Sequence, residues 1–194
     1  MKYVTYYETE EVVPDKDHGN DFSDMHTEQQ KKTDYIERYH FVSFYGKAEN
    51  TPKYSICRKN KEKIYLEKSS SQNGLFWREC EEISQEEARQ MKTGDLGWMK
   101  NDTRYLVRDF YLQMTINDLR YDYYETYDRQ EYVYQRNDRI VFNRNIKRIR
   151  GDYVLDVLPE GFVQIRLRRA KTIPRVIQNM MQGLEFTEEV PVYV

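Results

Sequence analysis

The chain has 194 residues, of which 39% are hydrophobic and 33% are charged, and its formal net charge at pH 7 is −2. This length allows one domain with its own core, and the balanced charge gives no indication of a nucleic-acid partner. Two cysteines, Cys57 and Cys80, provide neither a disulfide framework nor a metal-ligand spacing. No stretch approaches the roughly 20 apolar residues of a membrane helix, and no signal-peptide pattern opens the chain, so we expect a reducing, cytoplasmic setting.

The first 52 residues differ in character from the rest. Residues 1–13 are rich in tyrosine and valine, as in a strand, and Pro14 ends this run. Residues 14–34 are polar and predict a long surface loop, after which aromatic and apolar residues return at 35–45. We therefore divide the chain into divergent N-terminal strands with a polar loop (1–52) and a main unit (53–194), within one domain overall.

Short strands and two helices are predicted between residues 53 and 119. Residues 53–58 and 63–68 form two strand-like runs around a turn at 59–62, and 75–80 form a third. Ser84 with Glu87 three residues later is a capping box, which predicts a helix that ends at Gly94 or Gly97. Apolar residues at helical spacing predict a second helix from about 103 to Thr115.

The second half of the chain predicts further strands and one last helix. The strand-like runs are 121–127, 131–134, 139–143, 153–157 and 161–168, and Thr172-Ile173-Pro174 opens the helix. Neighbouring strands of this kind pair antiparallel, so the expected class is α+β. In residues 162–168 basic and aliphatic side chains alternate, which fits either a charged barrel lumen or an edge strand with one face in water.

Positive charge is concentrated in one part of the sequence. Twelve Lys or Arg residues stand between positions 129 and 175, against five acids in the same stretch. Such asymmetry is typical of an anion-binding region, although a solvated basic face gives the same pattern.

Three groups of motifs resemble the VTC domain of polyphosphate polymerases, a branch of the triphosphate tunnel metalloenzymes. The first comprises KYSICR at 53–58, IYLEK at 64–68 and NGLFWRE at 73–79. The second, which is the most specific, comprises YDRQEYV at 127–133 and DRIVFNRNI at 138–146. The third is FVQIRLRR at 162–169, followed by Ile173-Pro174. The resemblance covers about residues 53–182.

The resemblance implies an antiparallel β-barrel or tunnel with a few helices packed outside. In that family basic side chains in the lumen hold phosphates, and acids hold a divalent metal, Mn²⁺ or Mg²⁺. Matching positions assign phosphate binding to six residues: Lys68, Arg78, Arg129, Arg139, Arg166 and Arg168. Lys68 is also the candidate catalytic residue, and Glu67 is the candidate metal ligand. Converging guanidinium and ammonium groups suit a polyphosphate chain because each phosphate carries negative charge.

Several positions depart from the family pattern. Ser55 and Cys57 replace two alternating arginines, and Asn143 replaces an aspartate. Arg166 stands where the family has a metal-binding glutamate, which reverses the local charge and should repel a divalent cation. The N-terminal acids Glu8 and Glu10 lack a following basic partner in register.

We therefore expect a domain that binds polyphosphate or a nucleoside triphosphate in a basic tunnel, with catalysis weakened or lost. One alternative is an active polyphosphate polymerase or triphosphatase with rearranged metal ligands. Another is a protein-interaction scaffold whose barrel is filled by tyrosines and ion pairs. No nucleic-acid partner and no transmembrane segment are expected, and the sequence leaves the oligomeric state open.

Overall fold

The computed structural model describes residues 2–15, 32–43, 51–72, 75–134 and 138–169. Within these ranges the chain forms nine strands, two α-helices and one 3-10 turn. The strands are β1 (Lys2–Pro14), β2 (Lys32–Ser43), β3 (Lys53–Lys59), β4 (Lys63–Gln72), β5 (Leu75–Glu82), β6 (Leu119–Tyr134), β7 (Asp138–Arg150), β8 (Tyr153–Asp156) and β9 (Phe162–Arg169). The helices are α1 (Gln85–Thr93) and α2 (Tyr105–Ile116), with the 3-10 turn Gly97–Asn101 between them.

All strand pairings in the sheet are antiparallel, and they follow the order β6-β2-β3-β4-β5-β1-β9-β7-β8. An additional pairing joins β6 to β7, so that the succession of partners returns to its starting strand. Eight strands thus form a ring of pairings, and short β8 extends β7 outside that ring. The predicted α+β class, with antiparallel strands and helices packed outside, is confirmed.

Strand β1 connects the two halves of the ring. Its first half, from Lys2 to Tyr7, pairs with β5, and its second half, from Tyr7 to Pro14, pairs with β9. Strand β2 in turn pairs with β3 on one side and β6 on the other. Residues from the N-terminal part of the chain therefore share one sheet with the main unit.

The predicted elements differ from the observed ones mainly in length. The two runs predicted at 121–127 and 131–134 are one continuous strand, β6, because both partners of this strand pair across the gap between the runs. Strand β2 begins at Lys32, inside the segment predicted as a polar loop. The predicted last helix after Thr172 lies outside the described residues.

The main apolar core lies between the helices and the outer face of β3 and β4. Its fully buried members include Ile56 and Leu66 from the strands and Leu106, Val107 and Phe110 from α2. Helix α1 begins as predicted, because the Ser84 hydroxyl accepts the Glu87 amide while the Glu87 carboxylate accepts the Ser84 amide. It ends at Gly94, whose φ of 81° is the left-handed conformation that glycine adopts without strain.

A second apolar cluster lies inside the ring, at the end next to β8. Ile36, Cys57, Tyr127 and Ile146 are buried there, with Val157 and Leu158 packed against them. Apolar clusters therefore pack against both faces of the sheet, one outside the ring and one inside it. None of the described helices is long and apolar enough to cross a membrane.

Replacing Phe110 with alanine should lower the free energy of unfolding by about 3–5 kcal/mol, because the ring is fully buried and the cavity would stay partly empty. Phe110 packs edge-on against Phe41 at a centroid distance of 4.8 Å and against Tyr54 at 5.4 Å. Urea unfolding measures the loss. Leu112→Ala, on the exposed face of the same helix, is the control and should cost well under 1 kcal/mol. Equal losses for both variants would contradict this packing.

Candidate functional site: a charged lumen inside the ring of strands

Side chains alternate between the two faces of each strand, so the strand register decides which residues face the lumen, the space inside the ring. On β4, Glu67 faces inward opposite Ser55 on β3 and Cys80 on β5. On β9, Gln164 lies opposite Asn143 of β7 and is hydrogen-bonded to it. These two rows mark opposite walls of the lumen.

Arg38 and Glu67 form an ion pair on one wall. Nη1 of Arg38 is 2.7 Å from Oε2 of Glu67, and both side chains are nearly inaccessible to water. Arg38 also donates to the Ser55 hydroxyl and, through Nε, to the Tyr127 hydroxyl. Burial opposes the charged carboxylate, but the positive charges of Arg38, Arg78 and Arg129 outweigh burial and hold the pKa of Glu67 at about 2.

Two glutamates of β1 pair with two arginines of β9 on the other wall. Nε of Arg168 is 2.6 Å from Oε2 of Glu8, and Nη2 of Arg166 is 2.8 Å from Oε2 of Glu10. The alternating residues of antiparallel neighbours face each other here, since Glu8 is opposite Arg168 and Glu10 is opposite Arg166. Burial would raise the pKa of Glu8, yet the charges of Arg168 and Arg166 lower it.

Arg129 lies between these walls and is bonded only to neutral acceptors in the described part of the chain. Its Nε donates to Oδ1 of Asn143 at 3.0 Å, and its Nη2 donates to the Tyr127 hydroxyl at 3.3 Å. Burial lowers the pKa of Arg129, and the nearby charges of Arg168, Arg38 and Arg78 lower it further. Four guanidinium groups therefore converge around one buried position.

Arg78 and Arg139 complete the set of predicted arginines. Arg78 on β5 shares its face with Cys80, and its charge helps to lower the pKa of both Glu67 and Glu8. Arg139 shares the inward face of β7 with Asn143, but its side chain is 46% exposed and pairs with Glu131. We therefore place Arg78 within the lumen and Arg139 at its mouth.

Lys68, in contrast, lies on the opposite face of β4 from Glu67. Its Nζ is 2.8 Å from Oδ2 of Asp109 on α2, and the hydroxyl of Tyr54 donates to the same carboxylate at 2.5 Å. These contacts join the outer face of the sheet to the helix. The structure does not bring Lys68 together with the lumen arginines, and we leave it out of the candidate site.

Two thiols line the lumen near Glu67. Sγ of Cys80 is 3.9 Å from Oε1 of Glu67, and Sγ of Cys57 is 3.6 Å from Nη2 of Arg38. Burial raises the pKa of both thiols, to about 12 for Cys80, so these groups are held in the neutral, unreactive form.

Sequence reasoning missed Arg38 as a lumen residue and missed the inward position of Glu8 and Glu10. The alternating acids of β1 were visible in the sequence, but their partners lie far along the chain on β9. The Gln164–Glu10 and Arg168–Glu8 hydrogen bonds span 154 and 160 positions. Arg38 lies in an aromatic stretch without a matching motif. No local sequence pattern therefore identified Arg38 as a lumen residue or connected Glu8 and Glu10 with the arginines of β9.

The acidic side chains of the lumen are not suited to hold the divalent cation that the family resemblance implies. Metal sites for Mg²⁺ or Mn²⁺ need several carboxylate oxygens free to coordinate. Glu67, Glu8 and Glu10 are each paired with an arginine. Among the described residues, no group of three or more His, Cys, Asp or Glu is arranged to hold a metal ion.

Replacing Glu67 with glutamine should destabilise the protein in a pH-dependent way. A pKa of about 2 in the fold, against 4.5 ordinarily, stabilises the folded state by about 3 kcal/mol above pH 4.5, because the folded protein favours the charged carboxylate. This contribution is lost as the pH falls from 4.5 towards 2. Urea unfolding of the wild type and Glu67→Gln from pH 2 to 7 measures the difference, which should be largest at pH 7.

Glu62→Gln, in the exposed turn between β3 and β4, makes the same chemical change outside the lumen and should leave stability nearly unchanged. A wild-type advantage over Glu67→Gln that stays constant down to pH 2 would argue against the ion pair.

Comparisons with known proteins support this fold. No protein-family profile matches the sequence, and no curated protein matches it. Among solved structures, a candidate adenylate cyclase from Bacillus halodurans aligns with a TM-score of 0.63 at 11% identity, over 98% of this chain and 97% of that one. A candidate adenylyl cyclase from Hippeastrum, described as having a dominant triphosphatase activity, aligns at 0.57 with 14% identity over 95% and 91%.

A conserved hypothetical protein from Pyrococcus furiosus aligns with a TM-score of 0.55 at 14% identity, over 93% of this chain and 92% of that one. These alignments extend along almost the whole of each chain. At such low identities they establish a shared fold and nothing finer, and they do not single out the VTC branch.

Proposed function

We propose that the lumen binds the triphosphate portion of an anion, either polyphosphate or a nucleoside triphosphate, and that catalysis on it is weakened or lost. The observation that carries this proposal is Arg129. A guanidinium that is buried in the lumen and that, among the described side chains, bonds only to neutral acceptors is costly to desolvate. A phosphate group beside it would supply the missing negative charge through two parallel hydrogen bonds.

The charges around Arg129 support the same proposal. Among the described residues, five arginines face the lumen (Arg38, Arg78, Arg129, Arg166 and Arg168), and three glutamates pair with members of this set (Glu8, Glu10 and Glu67). Arg38, Arg129 and Arg168 in particular have little contact with water. Screening by solvent is weak there, so an anion entering the lumen would be attracted strongly.

Binding would proceed by exchange of partners within the lumen. Phosphate oxygens are better acceptors for several guanidinium forks than one carboxylate, because a triphosphate offers many oxygens along its length. Arg129 would make the first contacts, since Arg38, Arg166 and Arg168 already have carboxylate partners. Arg139 at the mouth would contact the part of the ligand that extends outward.

The solved structure from Hippeastrum supports a triphosphate as the ligand, because that protein is described as a triphosphatase and shares the fold. Loss of catalysis is supported by the paired state of the three lumen glutamates. Phosphoryl transfer in tunnels of this kind depends on a metal that neutralises developing charge. Mn²⁺ or Mg²⁺ would be the metal of an active form, and carboxylates held by arginines are poorly suited to it.

Two other functions would be indicated by different results of binding and activity measurements. Release of phosphate from ATP with Mn²⁺ would favour an active triphosphatase or polymerase with rearranged ligands. A protein that binds neither tripolyphosphate, polyphosphate nor ATP would favour an interaction scaffold whose lumen is filled by its own ion pairs.

Arg129→Gln should weaken binding of tripolyphosphate by about tenfold to a hundredfold, the usual effect of losing hydrogen bonds to a charged group. Titration calorimetry of the folded variant and the wild type, at low and at moderate salt, measures the change. Arg89→Gln, an exposed arginine of α1 paired with Glu86 on the same helix, is the matched control and should bind as the wild type does. Unchanged affinity in Arg129→Gln, or an equal loss in Arg89→Gln, would contradict the proposal.

A further inference from the structure

Arg166 lies between two carboxylates in the lumen. Its Nη2 is 2.8 Å from Oε2 of Glu10, and its Nη1 is 3.6 Å from Oε1 of Glu8. The remaining donor, Nε, bonds to Oε1 of Gln164 at 3.1 Å. The guanidinium thus has a carboxylate or amide oxygen within 3.6 Å of each of its three nitrogens.

The carboxylates of Glu8 and Glu10 converge on one point, in the way that two acidic side chains hold a cation. Glu8 and Glu10 alternate along β1 and project to the same side. Gln164 also bonds Glu10 through Nε2 at 2.8 Å, which orients that carboxylate towards Arg166. A built-in guanidinium therefore occupies the centre that the two glutamates define.

A divalent cation could not share this place. It would meet the positive charge of Arg166 at short range, and the carboxylates that it needs are already paired with Arg166 and Arg168. The third lumen glutamate, Glu67, belongs to Arg38 on the opposite wall and offers no alternative.

We propose that Arg166 is a tethered substitute for a divalent cation, so that this lumen takes its triphosphate ligand free of metal. The inference deepens the proposed function and rests on it for the identity of the ligand. A guanidinium supplies one fixed positive charge and directional donors, which hold phosphate oxygens in place of metal coordination. Because Mg²⁺ neutralises part of the charge of a triphosphate, the metal complex should bind less tightly than the free anion.

The first experiment measures tripolyphosphate binding to the wild-type protein by calorimetry, in EDTA and in excess Mg²⁺. Tighter binding in EDTA than in excess Mg²⁺ is the expected result. Binding that requires Mg²⁺ would overturn the inference while leaving the proposed function intact.

The second experiment uses Mn²⁺ alone, without any phosphate, and follows the free ion by electron paramagnetic resonance. The wild type should hold no Mn²⁺ in the lumen, whereas R166E should gain one site per chain, at least about tenfold tighter than any wild-type binding, because it joins a third carboxylate to Glu8 and Glu10. K100E, an exposed position with the same change of charge, should not gain a site. R166Q removes the cation without adding a ligand and should bind Mn²⁺ more weakly than R166E.

Stoichiometric Mn²⁺ binding by the wild type, or a folded R166E that gains no site, would overturn the inference. If R166E does not fold, the two wild-type measurements still decide the question. If tripolyphosphate fails to bind under every condition but R166E acquires the Mn²⁺ site, the proposed ligand is wrong and the cation-substitute role of Arg166 stands.

Discussion

The pairing of arginine with glutamate inside the ring of strands is the interaction on which the rest of this structure depends. Eight paired strands direct every second side chain into a space with little water, where an uncompensated charge is costly. The chain meets this constraint with ion pairs between neighbouring and opposite strands, such as Arg38 with Glu67 and Arg168 with Glu8. Because breaking one partner of a buried pair leaves a buried charge, the pairs also hold the strands in register.

Strand β1 shows how topology and charge balance depend on each other. It pairs with β5 in its first half and with β9 in its second, so it completes the ring at the point where its glutamates meet the arginines of β9. A register slip of one residue would turn Glu8 and Glu10 outward and break their present pairs with the arginines of β9. The charges of the lumen therefore specify the strand alignment that creates the lumen.

The two faces of the sheet carry different kinds of side chain. The outer face packs apolar residues against α1 and α2, a task that many aliphatic and aromatic side chains perform equally well. The inner face carries the ion pairs of the lumen, which hold the strands in register. Because many apolar side chains satisfy the packing outside, a chain that is 11% identical to a candidate adenylate cyclase can share its fold.

The sequence by itself determined the α+β class, most strands, the capping box at Ser84 and four arginines that face the lumen (Arg78, Arg129, Arg166 and Arg168), but not Arg38. These features are local, since alternation, helical spacing and short motifs are read within a few residues. The tertiary structure alone decided which charges meet. Adjacent Glu67 and Lys68 face opposite sides of β4, and Lys68 joins Asp109 of α2. Glu8 and Glu10 meet arginines of β9 because β1 completes the ring there, and no local pattern specifies a pairing across so long a separation.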